Sequence, residues 1–261
     1  MKTIFVFWFV VWIIVAFAFA GALQQAYAFD YYQTMGTYFS NSPTTCIMLP
    51  DPEFESRTSA IHNATNSAID EWQYKLQNAT AGNWQIHRQV FDYEDHWDKT
   101  NYNYPQCQVF VNYIGETDSY LSKHGILGRA SADIKNNYYW LEIQTQIIHR
   151  SISISIGTNW NTSDSGIKSE EKPIPISDIE NIIKHEYGHA LGLEHFYCTD
   201  DRDDCSDDSI MYPHLDIFQN STKTITERDI NMLIRMYGND GFGFPHPDIP
   251  EYCLVLKDKT C

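Results

Sequence analysis

Apolar residues recur at helical spacing in two long stretches of the chain and alternate with polar ones in several short stretches. From residue 56 to about 77, Ile61, Ala64, Ala68, Trp72 and Leu76 fall on one face of a helix. Ile179, Ile182, Ile183, Tyr187 and Ala190 give a second apolar helical face, buried on one side. Pro173-Ile174-Pro175 blocks helix upstream of it, and Ser177-Asp178-Ile179-Glu180 reads as a capping box at its start. Between these helices, residues 84–91 and 107–113 alternate as strands. Residues 138–148 and 152–156 read as further strands of open register. No repeat or low-complexity linker interrupts the pattern, and the length suits one domain with a sizeable core.

The second helical stretch carries the chemistry. His185-Glu186-Tyr187-Gly188-His189-Ala190-Leu191-Gly192-Leu193-Glu194-His195 fits H-E-x-x-H-x-x-G-x-x-H. Residues four apart lie on one helical face, so His185 and His189 can aim two imidazoles at one ion. Glu186, one position round, stays off the metal yet within reach of a water held there. Gly192 can take the left-handed conformation that ends a helix, which would bring His195 back to the same point. Three neutral imidazoles on Zn²⁺ leave a position open, the arrangement of a catalytic site. Such an ion makes its water acidic, and Glu186 would take that proton and pass it to a leaving amine. An isolated H-x-x-x-H is usually accidental; the Glu, the Gly and the third His at fixed offsets make this motif specific.

On these residues the chain resembles the metzincin metallopeptidases, and a second segment carries the likeness further. Ser209-Ile210-Met211-Tyr212-Pro213 is similar to the family's Met-turn, with Met211 as the hydrophobic base beneath the histidines. Within metzincins the chain most resembles the matrixins, over roughly residues 44 to 238. Ile225 to Gly238 is similar to their last helix; Thr226 and Asp229 form its capping box, and Gly238 its stop. Gly125-Ile126-Leu127-Gly128-Arg129-Ala130 resembles the segment that runs beside a bound peptide, which implicates Leu127, Gly128 and Ala130 in the substrate cleft. By the same resemblance Tyr212, Pro213 and His214, and the chain on to Phe218, line the cleft next to the scissile bond. The implied fold is α+β: a zincin-like catalytic domain with a twisted mixed sheet of about five strands and three main helices. Arg129 stands where many matrixins place a histidine ligand of a second zinc, which argues against that second ion. Phe196 replaces the small polar residue that often follows the third ligand. No inhibitory Pro-Arg-Cys-Gly-x-Pro-Asp segment is legible, so latency by a cysteine switch is not expected.

The N-terminus and the cysteines bear on location. Lys2 precedes an uncharged run from Ile4 to Leu23, and Ala26-Tyr27-Ala28 has the small-x-small pattern of a signal-peptidase site. This divides the chain into a signal peptide (1–28), a metallopeptidase domain (29–240) and a short C-terminal extension (241–261). The alternative is an uncleaved anchor through residues 4–23, long enough to span a bilayer. Six cysteines suit an oxidising, extracellular compartment. Of fifteen pairings, Cys198 with Cys205 and Cys253 with Cys261 are the local ones, leaving Cys46 and Cys107 to join two strands. Sequons at Asn63, Asn78, Asn161 and Asn220 agree with an exported surface.

A formal net charge of −16, with no basic patch, excludes a nucleic-acid partner. Six aspartates between residues 200 and 208 form an acidic loop, read either as solvated or as a structural Ca²⁺ site. Two functions fit these residues, both as a monomer. One is a secreted zinc endopeptidase acting on polypeptides; the other is a catalytically silent, zinc-stabilised module that binds a peptide or protein. Glu186 favours the first, because a purely structural ion has no use for a base.

Overall fold

The computed structural model describes residues 32–34, 38–50, 55–92, 106–115, 126–133, 138–149, 170–196, 209–213 and 221–243. The signal segment, the strand expected at 152–156, Cys198, Cys205, Cys253, Cys261, the acidic loop and His214 lie outside them.

Five strands form the main sheet, in the order β3-β2-β4-β6-β5. They are β2 (Thr44–Met48), β3 (His87–Phe91), β4 (Val109–Ile114), β5 (Gly128–Asp133) and β6 (Tyr138–Gln144). The first four in that order are mutually parallel, and β5 closes the edge antiparallel to β6. Parallel neighbours need a crossover; α1 (Glu55–Ala79) supplies the one between β2 and β3. Strands covered on both faces read as apolar runs, and β2 is buried over four of its five residues. A short strand, β1 (Tyr32–Thr34), pairs with β9 (Leu193–Phe196), and β7 (Gln146–His149) with β8 (Glu170–Pro173).

The core lies between this sheet and α1, α2 (Ile176–Ala190) and α3 (Glu227–Tyr237). Ile61, Ala68, Trp72 and Leu76, all fully buried, are the stripe expected of α1. Trp72 also donates its Nε1–H to Lys184 O at 3.0 Å, fixing α1 against α2. Burial of that ring contributes about 3–5 kcal/mol by the usual cost of Trp→Ala in a core.

Four expectations need correction. The capping box at Ser177 and Glu180 is absent: α2 starts directly after Pro175, whose extended backbone (ψ 149°) serves as N-cap without a side-chain bond. Pro175 already has the φ a helix entry needs and its carbonyl takes the first N–H groups, so no later cap is required. Nor is α2 buried on one side only, since every residue from Asn181 to Ala190 is buried. The strand expected at 138–148 is two, β6 and β7, broken at Thr145, whose N–H and hydroxyl both donate to Ile114 O. The strand expected at 84–91 begins only at His87; Trp84 and Ile86 fill the core from the preceding loop.

Cys46 and Cys107 form a disulfide, joining β2 to the turn before β4. Closing a loop of 61 residues removes unfolded-state entropy worth roughly 4 kcal/mol. Among the described residues no helix is long and apolar enough to cross a membrane.

Candidate metal centre and active site

His185 and His189 project from adjacent turns of α2, and both are buried. The helix ends at Leu191, and Gly192 turns the chain with φ 111°, a region closed to most side chains. Strand β9 then carries His195 back to the other two. The ligand nitrogens of all three lie within 4.8 Å of one another. His185 Nε2 is 3.2 Å from His189 Nε2 and 3.1 Å from His195 Nε2.

The tautomers follow from the backbone. His185 Nδ1 lies 2.7 Å from Ile210 O, and His189 Nδ1 lies 2.7 Å from Leu193 O. A carbonyl only accepts, so each Nδ1 carries the proton and each Nε2 presents a lone pair. Burial pushes the His185 imidazolium down from 6.5 to about 3, helped by charge on His189, and His189 down to about 4, again mainly by burial. Both rings therefore stay neutral at physiological pH. Two lone pairs 3.2 Å apart repel unless a cation lies between them. Tetrahedral Zn²⁺ at ~2.0–2.1 Å from each nitrogen sets them about 3.3 Å apart. The donor set, its tautomers and its spacing fit zinc.

Glu186 is buried beside this cluster but outside the ligand set. Burial pushes its carboxyl up to about 8, against which a hydrogen bond from Ala130 N–H acts. A dication in the histidine cluster favours the carboxylate, opposing that shift. Gly128 makes the approach possible: a Cβ there would stand 2.6 Å from Glu186 Oε1 and 2.7 Å from Ile182 Cγ2. Thus Gly128 and Ala130 meet the carboxylate through their backbone, while Leu127 packs on the core margin.

The Met-turn closes the floor. Met211 is fully buried, and a Cβ on Gly188 would overlap its Sδ. Phe196 N donates to Met211 O at 2.9 Å, tying the third ligand's strand to the turn. Tyr212 and Pro213 follow, half-buried. Asp229, expected only as part of a capping box with Thr226, forms that box and also reaches the Met-turn. Its carboxylate accepts from Ser209 Oγ at 2.6 Å and from Ile210 N at 3.4 Å. The sequence offers a signal for this second role only in hindsight of the fold, since the partners are about twenty residues apart.

Arg129 donates from Nε to Glu142 Oε2 at 2.7 Å, across β5 and β6. Arg129 thus forms an ion pair with Glu142.

No curated protein matches the chain significantly. A peptidase family model described as matrixin matches residues 40–238. That span takes in the three histidines, Glu186, the Met-turn and all of α3, and the chain belongs to the matrixin family of metallopeptidases.

Proposed function

We propose that the mature chain is a secreted, zinc-dependent endopeptidase with Glu186 as general base. The observation that carries this reading is the pairing of three convergent imidazoles with a buried carboxylate that is not one of the ligands. His185, His189 and His195 hold the ion, and Nδ1–H bonds to Ile210 O and Leu193 O aim two of the three rings. Zinc, when bound, supplies Lewis acidity that readies a water for attack near neutral pH and polarises a substrate carbonyl. Glu186 takes the proton of the attacking water and returns it to the amine nitrogen as the peptide C–N bond breaks.

Strand β5 forms the outer edge of the sheet beside Glu186. An extended polypeptide adds there as a further strand, with Leu127, Gly128 and Ala130 on one side and Tyr212 and Pro213 on the other. Secretion through removal of residues 1–28 is supported by the small-x-small site and by the Cys46–Cys107 disulfide, which suits an oxidising compartment.

The test uses purified protein and a broad library of unstructured peptides. Zinc at one equivalent, cleavage abolished by a chelator and restored by zinc, and a Glu186→Ala protein that keeps the metal without turnover are expected. Wild type as inert as Glu186→Ala, both zinc-loaded, would instead identify a binding module.

A further inference from the structure

Lys184 is the residue before the first ligand, and it is 1% exposed in the middle of the protein. A buried ammonium is costly unless paired and hydrogen-bonded. Here Nζ is 2.7 Å from Glu71 Oε2 on α1, 2.8 Å from Glu180 Oε1 one turn back on α2, and 2.9 Å from Lys223 O. The reaction assigned to Glu186 uses none of these groups.

Their arrangement has a direction. Asn181, one turn before His185, accepts from Lys223 N at 2.7 Å and donates to Ser221 O at 2.9 Å. Glu71 accepts from Ile225 N at 2.9 Å, and Lys75 donates to Ile225 O. Every second backbone unit from 221 to 225 is therefore held by a side chain of α1 or α2. The next residue is Thr226, the N-cap of α3, whose hydroxyl and N–H are both bound by Asp229. Asp229 in turn holds Ser209 and Ile210, and Ile210 O receives His185 Nδ1–H. The chain of contacts starts on α2 and returns to α2 one residue from where it began.

We propose that Lys184, with Asn181, is a positioning residue for the metal centre: it fixes segment 221–225, and through α3 and the Met-turn it sets the carbonyl that orients His185. The proposal rests on the zinc site above. A salt bridge serving the fold alone would need no link to the Met-turn, and an apolar residue at 184 would serve as well.

The full chain is compared with Asn181→Ala, Lys184→Met and the charge-balanced Lys184→Met/Glu180→Gln, which keeps the Glu71–Lys75 pair. Lys184→Met takes the Lys184 ammonium from two part-buried carboxylates, leaving Glu71 with Lys75, and risks not folding; the other two variants keep the charge of the cluster balanced. Zinc affinity is read by competition with a chromogenic chelator, and ligand geometry by the visible bands of the Co²⁺-substituted protein. Loss of an outer contact to a metal-binding histidine lowers affinity about 10–100-fold. Weakening of about tenfold is expected in Asn181→Ala and the double variant, with shifted Co²⁺ bands, at temperatures where both are fully folded. Affinity within about twofold of wild type and superimposable Co²⁺ spectra would overturn the proposal while leaving the zinc site intact. Failure of wild type itself to bind zinc would overturn the earlier reading instead.

Discussion

Glu186 lies between two walls that are built differently. On one side, α1, α2, the Met-turn and α3 are joined by side-chain bonds: Lys184 to Glu71, His185 to Ile210, and Asp229 to Ser209. On the other side stands β5, an edge strand held by pairing with β6 and by the half-exposed Arg129 against Glu142. The first wall has redundant side-chain bonds because a metal ligand displaced by a fraction of an ångström loses its lone-pair alignment. The second ends the sheet: among the described residues no strand pairs with the outer side of β5, and a sheet edge is what an extended substrate needs. Rigidity for an ion and a sheet edge for a peptide are opposite requirements, and the two walls on either side of Glu186 are suited one to each.

The largest expected effect falls between the walls. Glu186→Ala should lower kcat/KM by about 10²–10⁴, the usual contribution of a positioned base, with zinc stoichiometry unchanged. Paired activity and metal analysis checks this. If zinc is lost with Glu186, the residue belongs to the ligand wall. Next comes a control remote from both: Cys46→Ser/Cys107→Ser should cost about 2–5 kcal/mol of stability with kcat at wild-type level below the unfolding transition. A matching fall in kcat would mean that the far side of the sheet is coupled to the site.

Two glycines separate the walls more finely. Gly188→Ala sets a Cβ against Met211 Sδ and 3.1 Å from Trp72, inside the rigid wall. Overpacking there should cost about 1–3 kcal/mol and weaken zinc binding. Gly128→Ala sets its Cβ against Glu186 itself, from the open wall. Turnover should drop there about tenfold or more, with zinc affinity kept, because what moves is the base. Thermal unfolding, zinc competition and steady-state kinetics on the two proteins decide it; equal losses of metal would erase the distinction.

The legibility of the sequence divides along the same line. The three ligands and Glu186 are readable because helix geometry converts spacing into direction, and Gly192 adds the one turn required. Thr226 and Asp229 are readable as a cap for the same local reason. Lys184 and Asn181 look like interruptions of an apolar helix; their partners Glu71, Ser221 and Lys223 lie 39 to 113 positions away, and no local spacing encodes such pairs. Ser177 and Glu180 mislead in the opposite sense. They match a cap pattern, but the preceding proline had already begun the helix, and Glu180 was committed to Lys184. Thr145 divides the strand read over 138–148 into two because its polar groups, and Ile174 N bonded to its carbonyl, serve a junction that periodicity cannot reveal.

The smallest effect tests the electrostatics of the carboxylate without its cation. In metal-free protein, His185 and His189 are held below 6.5, at about 3 and about 4, so the unfolded chain takes up protons first. Their contribution to stability is intact above pH 6.5 and is lost as pH falls toward 4. Glu186 is shifted the other way, from 4.5 to about 8, so the unfolded chain releases its proton first and the fold loses stability as pH rises from 4.5 to 8. Glu186→Gln removes only the second dependence. Under chelator, its Tm should exceed that of wild type by a few degrees at pH 8, and the gap should close as pH falls to 4, where both side chains are neutral. The histidine-linked decline below pH 6.5 should be common to both proteins. Zinc should shrink the gap at pH 8, because a dication within the histidine cluster stabilises the carboxylate that burial disfavours. A gap independent of pH in thermal scans under chelator would show that Ala130 N–H alone keeps Glu186 ionised in the metal-free fold.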